Sequence, residues 1–144
     1  MCNERPNILW LMVGLPRSGK TTAALQLAKD TGAPIVNPDA IRLAIHGKPY
    51  LQSAEPFVWA TAHAMVDSLF LAGHADVILD ACNNTRKRRD EWKYGKHWAE
   101  RRFITIDCDV EICLNRLGAD DAKAMAPVIQ RMAEQHEPVK DDEK

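Results

Sequence analysis

The stretch ILWLMVGLPRSGKTTAALQLAK, residues 8–29, decides the fold of this chain. Its first six residues are an apolar run typical of a buried parallel strand, and residues 20–30 have the pattern of a helix. Between them, GLPRSGKT at residues 14–21 matches the phosphate-binding pattern GxxxxGK[ST]. A glycine-rich loop between a strand and a helix points several backbone N–H groups and a helix N-terminus at one anion. The stretch therefore predicts a loop that binds a nucleoside triphosphate.

The side chains of this loop have separate predicted roles. Lys20 is expected to reach the β- and γ-phosphates, and the hydroxyl of Thr21 is expected to ligate Mg²⁺. The other residues expected to hold the nucleotide are Gly14, Arg17, Ser18, Gly19 and Thr22. The predicted cofactors are ATP and Mg²⁺. GTP is not excluded as the donor, because the sequence shows neither a guanine-reading NKxD-type stretch nor a clear adenine pocket.

Beyond the loop, predicted strands alternate with predicted helices. Strands are predicted at 34–37, 76–81 and 103–106, and helices at 40–46, 55–72, 85–98, 110–117 and 127–136. This alternation predicts an α/β fold of three layers, with a parallel sheet of about four strands between helices. With the phosphate loop, the chain resembles the P-loop NTPases and kinases, and this resemblance implies the strand order 2-3-1-4. We expect one domain over residues 1–136 and a charged, frayed tail over residues 137–144.

Composition limits the classes of protein to which the chain can belong. With 144 residues, 46% of them hydrophobic, one core is expected, and no apolar stretch approaches membrane-spanning length. The four cysteines form no CxxC pair, and reduced thiols suit the cytoplasm. Residues 86–102 carry eight Lys/Arg and three acids, a local charge of 8 − 3 = +5. That run is either a solvated helix face or a surface for an anionic partner.

Two carboxylates outside the loop are candidates for the chemistry of phosphoryl transfer. Asp80 ends the apolar run at 77–79, where it can hold Mg²⁺ or cap the next turn. Asp39 follows the second predicted strand and stands three residues before Arg42, so the two share a helix face. The pair can supply a base for an acceptor hydroxyl and a cation for an acceptor phosphate, or it can be a helix cap with a surface ion pair.

Three segments carry a family resemblance: GLPRSGKTT at 14–22, NPDAIR at 37–42 and VILDACNNTRKRR at 77–89. In this order they resemble the kinase domain of the phage-type 5′-polynucleotide kinases and their small P-loop relatives, over residues 8–132. The resemblance leaves open a phage-encoded protein that acts in the host cytoplasm.

The resemblance implies a site with a nucleic acid or nucleotide-like acceptor opposite ATP. Asp39 would be the general base for a 5′-hydroxyl, and Arg42 would contact the acceptor's 3′-phosphate. Together with Lys20 these are the implied catalytic residues. On the acceptor side of the cleft the resemblance implies Asn83, Arg86 and Arg89.

The chain departs from the family at two places. Residues 118–126 contain no arginine, although family lids usually carry one that stabilises the transferring phosphoryl group. Replacement could come from Arg116, Lys123 or Arg131, or from a second subunit of a homo-oligomer. The second departure is Arg17, where relatives often have a small residue; its cation could touch a phosphate or point to solvent.

These departures keep two other functions open. One is a kinase of a small molecule, such as a nucleoside, modified base, sugar or antibiotic. The other is an ATP-binding switch or subunit without an acceptor of its own.

Overall fold

A single parallel sheet organises the protein in the computed structural model, which describes residues 5–47, 51–93, 95 and 97–144. Its strands are β1 (Ile8–Val13), β2 (Ile35–Val36), β3 (Asp76–Leu79) and β4 (Glu100–Thr105), hydrogen-bonded in the order β2-β3-β1-β4. The helices are α1 (Lys20–Thr31), α2 (Pro38–His46), α3 (Glu55–Leu71), α4 (Arg86–Asp90), α5 (Val110–Asn115) and α6 (Ala119–Gln135). The predicted α/β class and strand order 2-3-1-4 are confirmed.

Alternate residues of the central strand β1 serve opposite faces of the sheet. Leu9 and Leu11 pack on one face with the buried side of α3, whereas Met12 packs on the other face with Ala24 of α1. Helix α3 buries Val58, Ala62, Val66 and Phe70, each one turn beyond the last. A strand covered by helices on both faces reads as a continuous apolar run, which is the pattern found at residues 8–13.

This topology brings the phosphate loop and the segment after β3 together. Strands β1 and β3 are parallel neighbours, so their carboxyl ends lie at one edge of the sheet. There the backbone N–H of Gly14 donates to the carbonyl of Cys82 at 3.1 Å. Helix α2 starts at the same edge after β2, with Asn37 as its N-cap. The three segments of the family resemblance therefore meet in space.

The predicted helix over 85–98 is wrong beyond its first turns, because α4 ends at Asp90. The two tryptophans that follow belong to the core: Trp92 and Trp98 are buried, and the indole N–H of Trp98 donates to the carbonyl of Trp92 at 3.2 Å. Gly95 lies directly under the Trp98 ring, where any Cβ would collide with it. Because the helix ends at Asp90, the rings of Trp92 and Trp98 can both pack into the core.

The predicted start of the last helix at Pro127 is also wrong, since α6 runs unbroken from Ala119 to Gln135 with Pro127 inside it. Proline removes one N–H donor from a helix interior. Here both Pro127 and Lys123, the residue whose carbonyl loses that partner, are exposed, so water can satisfy the carbonyl. The helix therefore tolerates a residue that usually marks its beginning.

The segment predicted to be a frayed tail is docked on the rest of the fold. Residues 141–143 form a 3₁₀ turn, and the Glu143 carboxylate makes two hydrogen bonds to Arg89, at 2.7 and 3.0 Å, with both side chains almost fully buried. Arg101 donates to the carbonyl of Glu143 at 3.0 Å, and the N–H of Glu137 donates to the carbonyl of Asn84 at 3.0 Å. Charged residues can thus form a buried contact when they are paired.

Candidate active site

The phosphate loop is shaped by backbone conformations and close contacts that suit an anion. A Cβ on Gly14 would lie 2.8 Å from the hydroxyl oxygen of Ser18, so that position has no room for a side chain. Gly19 and Arg17 both have left-handed backbones, with φ of 103° and 65°. The Ser18 hydroxyl is buried without a hydrogen-bond partner within the described part of the chain. An unsatisfied buried donor beside curled N–H groups fits a phosphate oxygen.

Lys20 begins α1 at the end of this loop. Its side chain is 8% exposed, and its ammonium donates to the carbonyl of Leu15 at 2.9 Å. The cation is therefore held over the loop by a carbonyl of the loop itself. A phosphate oxygen is a stronger partner than this neutral carbonyl, because it adds the attraction of a second, opposite charge.

Thr21 and Asp80 form the pair of oxygen ligands expected for Mg²⁺. The Thr21 hydroxyl donates to Oδ2 of Asp80 at 2.9 Å, and the amide of Asn37 donates to the same oxygen at 3.5 Å. Hydroxyl and carboxylate oxygens are the hard ligands that Mg²⁺ takes, usually with water and substrate phosphates completing its shell. No group of three or more His, Cys, Asp or Glu side chains that could hold a metal ion occurs among the described residues.

Asp39 and Arg42 lie on α2, as their spacing predicts, and a third residue joins them. Nη1 of Arg42 donates to Asp39 at 2.6 Å, while its Nε and Nη2 donate to both oxygens of Glu55, at 2.8 and 2.6 Å. Burial alone would lower the pKa of Arg42, but hydrogen bonds to Glu55, together with the charge of Asp39, raise it above its usual value. Glu55 comes from the start of α3, and no local pattern links it to a residue thirteen positions earlier.

The Asp39 carboxylate is the exposed member of this group. Its side chain is 76% exposed, against 13% for Arg42 and 18% for Glu55. Arg42 donates to Oδ1 of Asp39, and no hydrogen bond to Oδ2 of Asp39 is found among the described residues. The Trp59 ring packs against the guanidinium of Arg42, 5.9 Å from the ring centre, and against that of Arg88 at 4.2 Å. The base candidate is thus held by one oxygen and open to solvent at the other.

The thiol of Cys82 lies within electrostatic reach of Lys20, Asp39 and Asp80, which the sequence did not indicate. Burial raises the pKa of the Cys82 thiol; the charge of Lys20 acts against this, and the carboxylates of Asp39 and Asp80 raise it further. The thiol is therefore neutral at physiological pH. Lys20, Asp39 and Asp80 therefore all act electrostatically on one thiol.

The residues implied on the acceptor side have other partners. Asn83 is buried, with a left-handed φ of 47°, and its amide donates to the carbonyl of Met12 at 2.6 Å, so it supports the end of β1. Arg89 is fully buried on Glu143, and Arg86 pairs with Asp142 at 2.5 Å. The expectation that Arg89 lines the acceptor cleft is thus not met, because the C-terminal segment takes its guanidinium.

The three lid candidates are placed differently. Arg116 donates from Nη1 to the carbonyl of Arg17 at 2.8 Å and lines a cavity of about 530 Å³ together with Ser18 and Cys108. Lys123 and Arg131 are exposed on α6. Arg116 is therefore the one of the three that the structure brings to the phosphate loop.

Within the described ranges, no helix has both the length and the apolarity needed to cross a bilayer.

Comparisons with known proteins agree with this geometry. A chain in the structure of the Pnkp1/Rnl/Hen1 complex is 26% identical with a TM-score of 0.70, and the match covers 82% of this chain but 41% of that one. This chain thus spans less than half the length of that relative. A gluconokinase from Sinorhizobium meliloti 1021 is 17% identical with a TM-score of 0.62, covering 96% of this chain and 80% of that one. A sugar kinase from Janibacter sp. HTCC2649 is 20% identical with a TM-score of 0.65, covering 96% and 82%.

No curated protein sequence matches the chain significantly. The family pattern that does match is described as an AAA domain, and it covers residues 9–139. With the strand order, the phosphate loop and the kinase structures above, this match is decisive. The chain belongs to this AAA domain family and has the fold of the P-loop kinases.

Proposed function

We propose that the protein transfers the γ-phosphate of ATP to a hydroxyl group of a nucleic acid or nucleotide-like acceptor. The observation that carries the proposal is the position of Asn37, whose amide donates to Asp80, the partner of Thr21, and whose side-chain oxygen accepts from the backbone N–H of Asp39. Asp39, which carries the exposed carboxylate, is therefore two residues from a side chain that contacts an expected Mg²⁺ ligand. A protein that only bound or hydrolysed ATP would have no need of a second, oriented carboxylate beside the metal ligands.

The residues of the site divide the work as follows. The N–H groups of the loop and the Ser18 hydroxyl bind phosphate oxygens, and the Lys20 ammonium exchanges the Leu15 carbonyl for them. Thr21 and Asp80 would hold Mg²⁺, which when bound neutralises charge on the β- and γ-phosphate oxygens. These residues position and polarise the donor.

Asp39 acts on the acceptor. Its Oδ2 takes the proton of the acceptor hydroxyl, whose oxygen forms a bond to the γ-phosphorus while the bond from that phosphorus to the β–γ bridging oxygen breaks. ADP leaves with the electron pair of that bond. Arg42 holds the other oxygen of the carboxylate and fixes its direction, and Glu55 fixes Arg42.

A second candidate, a kinase of a small polyhydroxylated molecule, is favoured by the charge balance of the acceptor side. Arg42 is matched by two carboxylates, so Asp39, Arg42 and Glu55 together carry −1. Arg86 and Arg89 are matched by Asp142 and Glu143. A site with so little free positive charge suits a neutral acceptor better than a long polyanion.

The deciding experiment incubates the protein with γ-labelled ATP and matched acceptors: 5′-hydroxyl oligonucleotides, 3′-phosphorylated and free nucleosides, and neutral or acidic sugars. Transfer to the nucleotide acceptors supports the leading proposal, and transfer to sugars alone supports the second. ATP hydrolysis with no labelled product on any acceptor contradicts both and favours a nucleotide-binding switch. Salt separates the first two further, because extended nucleic acid loses affinity steeply with salt and a neutral sugar does not.

Asp39→Asn is the matched test of the base. It should abolish transfer while ATP still binds, whereas Asp30→Asn, the same change at an exposed acid of α1 whose carboxylate accepts from Gln26, should keep full activity. Transfer at the normal rate by Asp39→Asn removes Asp39 from the role of base.

A further inference from the structure

Arg17 stands at the tip of the phosphate loop in a conformation that ordinary side chains avoid. Its φ of 65° is left-handed, which costs a residue with a Cβ about 1 kcal/mol relative to glycine. Its guanidinium reaches across to α6 and donates from Nη2 to Asp121 at 3.1 Å. Its carbonyl accepts from Arg116. A glycine would form this turn without strain, so the presence of an arginine here indicates that its side chain has a role.

The partner of Arg17 is easily exchanged. Arg17 is 48% exposed and Asp121 is 54% exposed, and ion pairs between such groups contribute about 0–1 kcal/mol. Asp121 lies in the first turn of α6, where the partial positive charge of the helix N-terminus stabilises a carboxylate without Arg17. Releasing the arginine therefore costs little, and a phosphate group with its higher charge density is the better partner.

Lys20 is assigned to the phosphates of the donor, and the other arginines described near the loop already have partners. Residues 117–130 contain no arginine, and α6 begins with two carboxylates, Asp120 and Asp121, that would repel a nucleotide. Arg116 already donates a hydrogen bond from Nη1 to the carbonyl of Arg17 in the loop. Arg42 is held by two carboxylates. Phosphoryl transfer nevertheless needs a cation that neutralises charge as the γ-phosphoryl group moves.

We propose that Arg17 is a further catalytic residue, which exchanges Asp121 for the β- and γ-phosphate oxygens of the nucleotide and supplies the guanidinium that residues 118–126 lack. Asp121 holds the guanidinium beside the loop until the nucleotide arrives. The catalytic half of this inference rests on the proposed function, whereas the exchange of partners requires only that the loop binds a nucleoside triphosphate.

The test compares four variants. Arg17→Gly removes the guanidinium and accepts a φ of 65° without strain, so loss of the cation is separated from loss of the loop shape. Arg17→Lys keeps the charge but not the planar fork. Asp121→Asn removes the competing partner. Arg102→Ala, from an exposed pair with Glu100 at 2.9 Å on β4, is the matched control.

The first readout is binding of ATP and ADP by calorimetry without any acceptor. Arg17→Gly should weaken ATP about tenfold and ADP less, since a hydrogen bond to a charged group is lost mainly with the triphosphate. Asp121→Asn should tighten ATP severalfold, and Arg17→Lys should fall between Arg17→Gly and the wild type. Arg102→Ala should change neither. If Arg17→Gly and Asp121→Asn shift ATP affinity in the same direction, the pair is a structural clamp and the inference is overturned.

The second readout is the rate of a single turnover on whichever acceptor the screen identifies. Arg17→Gly should slow it about a hundredfold or more, because an arginine on the transferring group is worth several orders of magnitude. An unchanged rate overturns the catalytic assignment. Should no acceptor be found, the proposed function fails while the calorimetry still decides whether Arg17 binds the triphosphate.

Discussion

The ion pair between Arg89 and Glu143 offers a direct test of whether the C-terminal segment belongs to the folded domain. Both side chains are almost completely buried, at 0% and 1% exposure. Glu143→Gln keeps the size of the side chain but removes its negative charge, so the guanidinium is left with neutral acceptors, among them the carbonyls of Asn83 and Pro138 at 3.0 and 3.4 Å. Removing one partner of a buried pair costs about 3–5 kcal/mol.

That loss is large for a protein of this size. Folded domains are stable by about 5–15 kcal/mol, so Glu143→Gln should remove at least about a fifth of the free energy of unfolding. In thermal unfolding the midpoint should fall by about 10 °C or more. The matched control is Asp142→Asn, which breaks the neighbouring pair with Arg86 at a side chain that is 62% exposed. Exposed pairs contribute about 0–1 kcal/mol, so the control should change the midpoint by a few degrees at most.

The assay is urea unfolding followed by circular dichroism, with the free energy taken by linear extrapolation. Hydrogen bonds from Arg89 outweigh burial and lower the pKa of Glu143. Its contribution is therefore complete above the usual glutamate pKa and is lost as the pH falls through the lowered value. Glu143→Gln should remove that part of the acid sensitivity. A Glu143→Gln protein as stable as Asp142→Asn at neutral pH would refute the reasoning and return the segment to a solvated tail.

Three further changes test single contacts. Asn37→Ala removes the cap of α2, which accepts from two backbone N–H groups, and should cost about 0.5–2 kcal/mol in urea unfolding; no loss would mean that the cap is not formed. Glu55→Gln frees Arg42 and should lower kcat through a misdirected base while ATP affinity stays constant in calorimetry; a fall in ATP affinity would argue against a purely acceptor-side role. Burial lowers the pKa of His63, despite the nearby carboxylates of Glu91 and Asp67, so stability should fall as the pH drops below about 6.5; His63→Asn should flatten that slope, and an unchanged slope would assign it to other groups.

Features of the fold that depend on local pattern were predictable from the sequence. The apolar run at 8–13, the glycines of the loop and the helix that follows are short-range signals, and they set the order of the elements around them. Asp39, Arg42 and Asp80 were found because each stands at a fixed distance from a strand end. Parallel strands bring such ends to one edge of a sheet, so nearness in space follows from topology.

Contacts made between distant segments were not predictable in the same way. Glu55 and Glu143 look like ordinary surface acids, and only the fold brings them to Arg42 and Arg89. Arginine and lysine favour helices, so the composition of the basic run does not reveal that its helix ends at Asp90. Two buried tryptophans and the space over Gly95 override that preference, and neither has a signature in local composition.

The distance along the chain between Arg89 and its partner also has a consequence for synthesis. The two residues are 54 positions apart, and ribosomes add about 5–20 residues per second, so Arg89 waits roughly 3–11 s for Glu143 to be made. During that interval the Arg89 guanidinium lacks the carboxylate with which it is buried in the folded protein. The segment from Asn83 to Arg89 beside the phosphate loop is then not stabilised in its folded position. The nascent chain should therefore complete its proposed nucleotide site late, when the 3₁₀ turn at residues 141–143 has been made. Every residue proposed to contact the nucleotide is translated long before that turn.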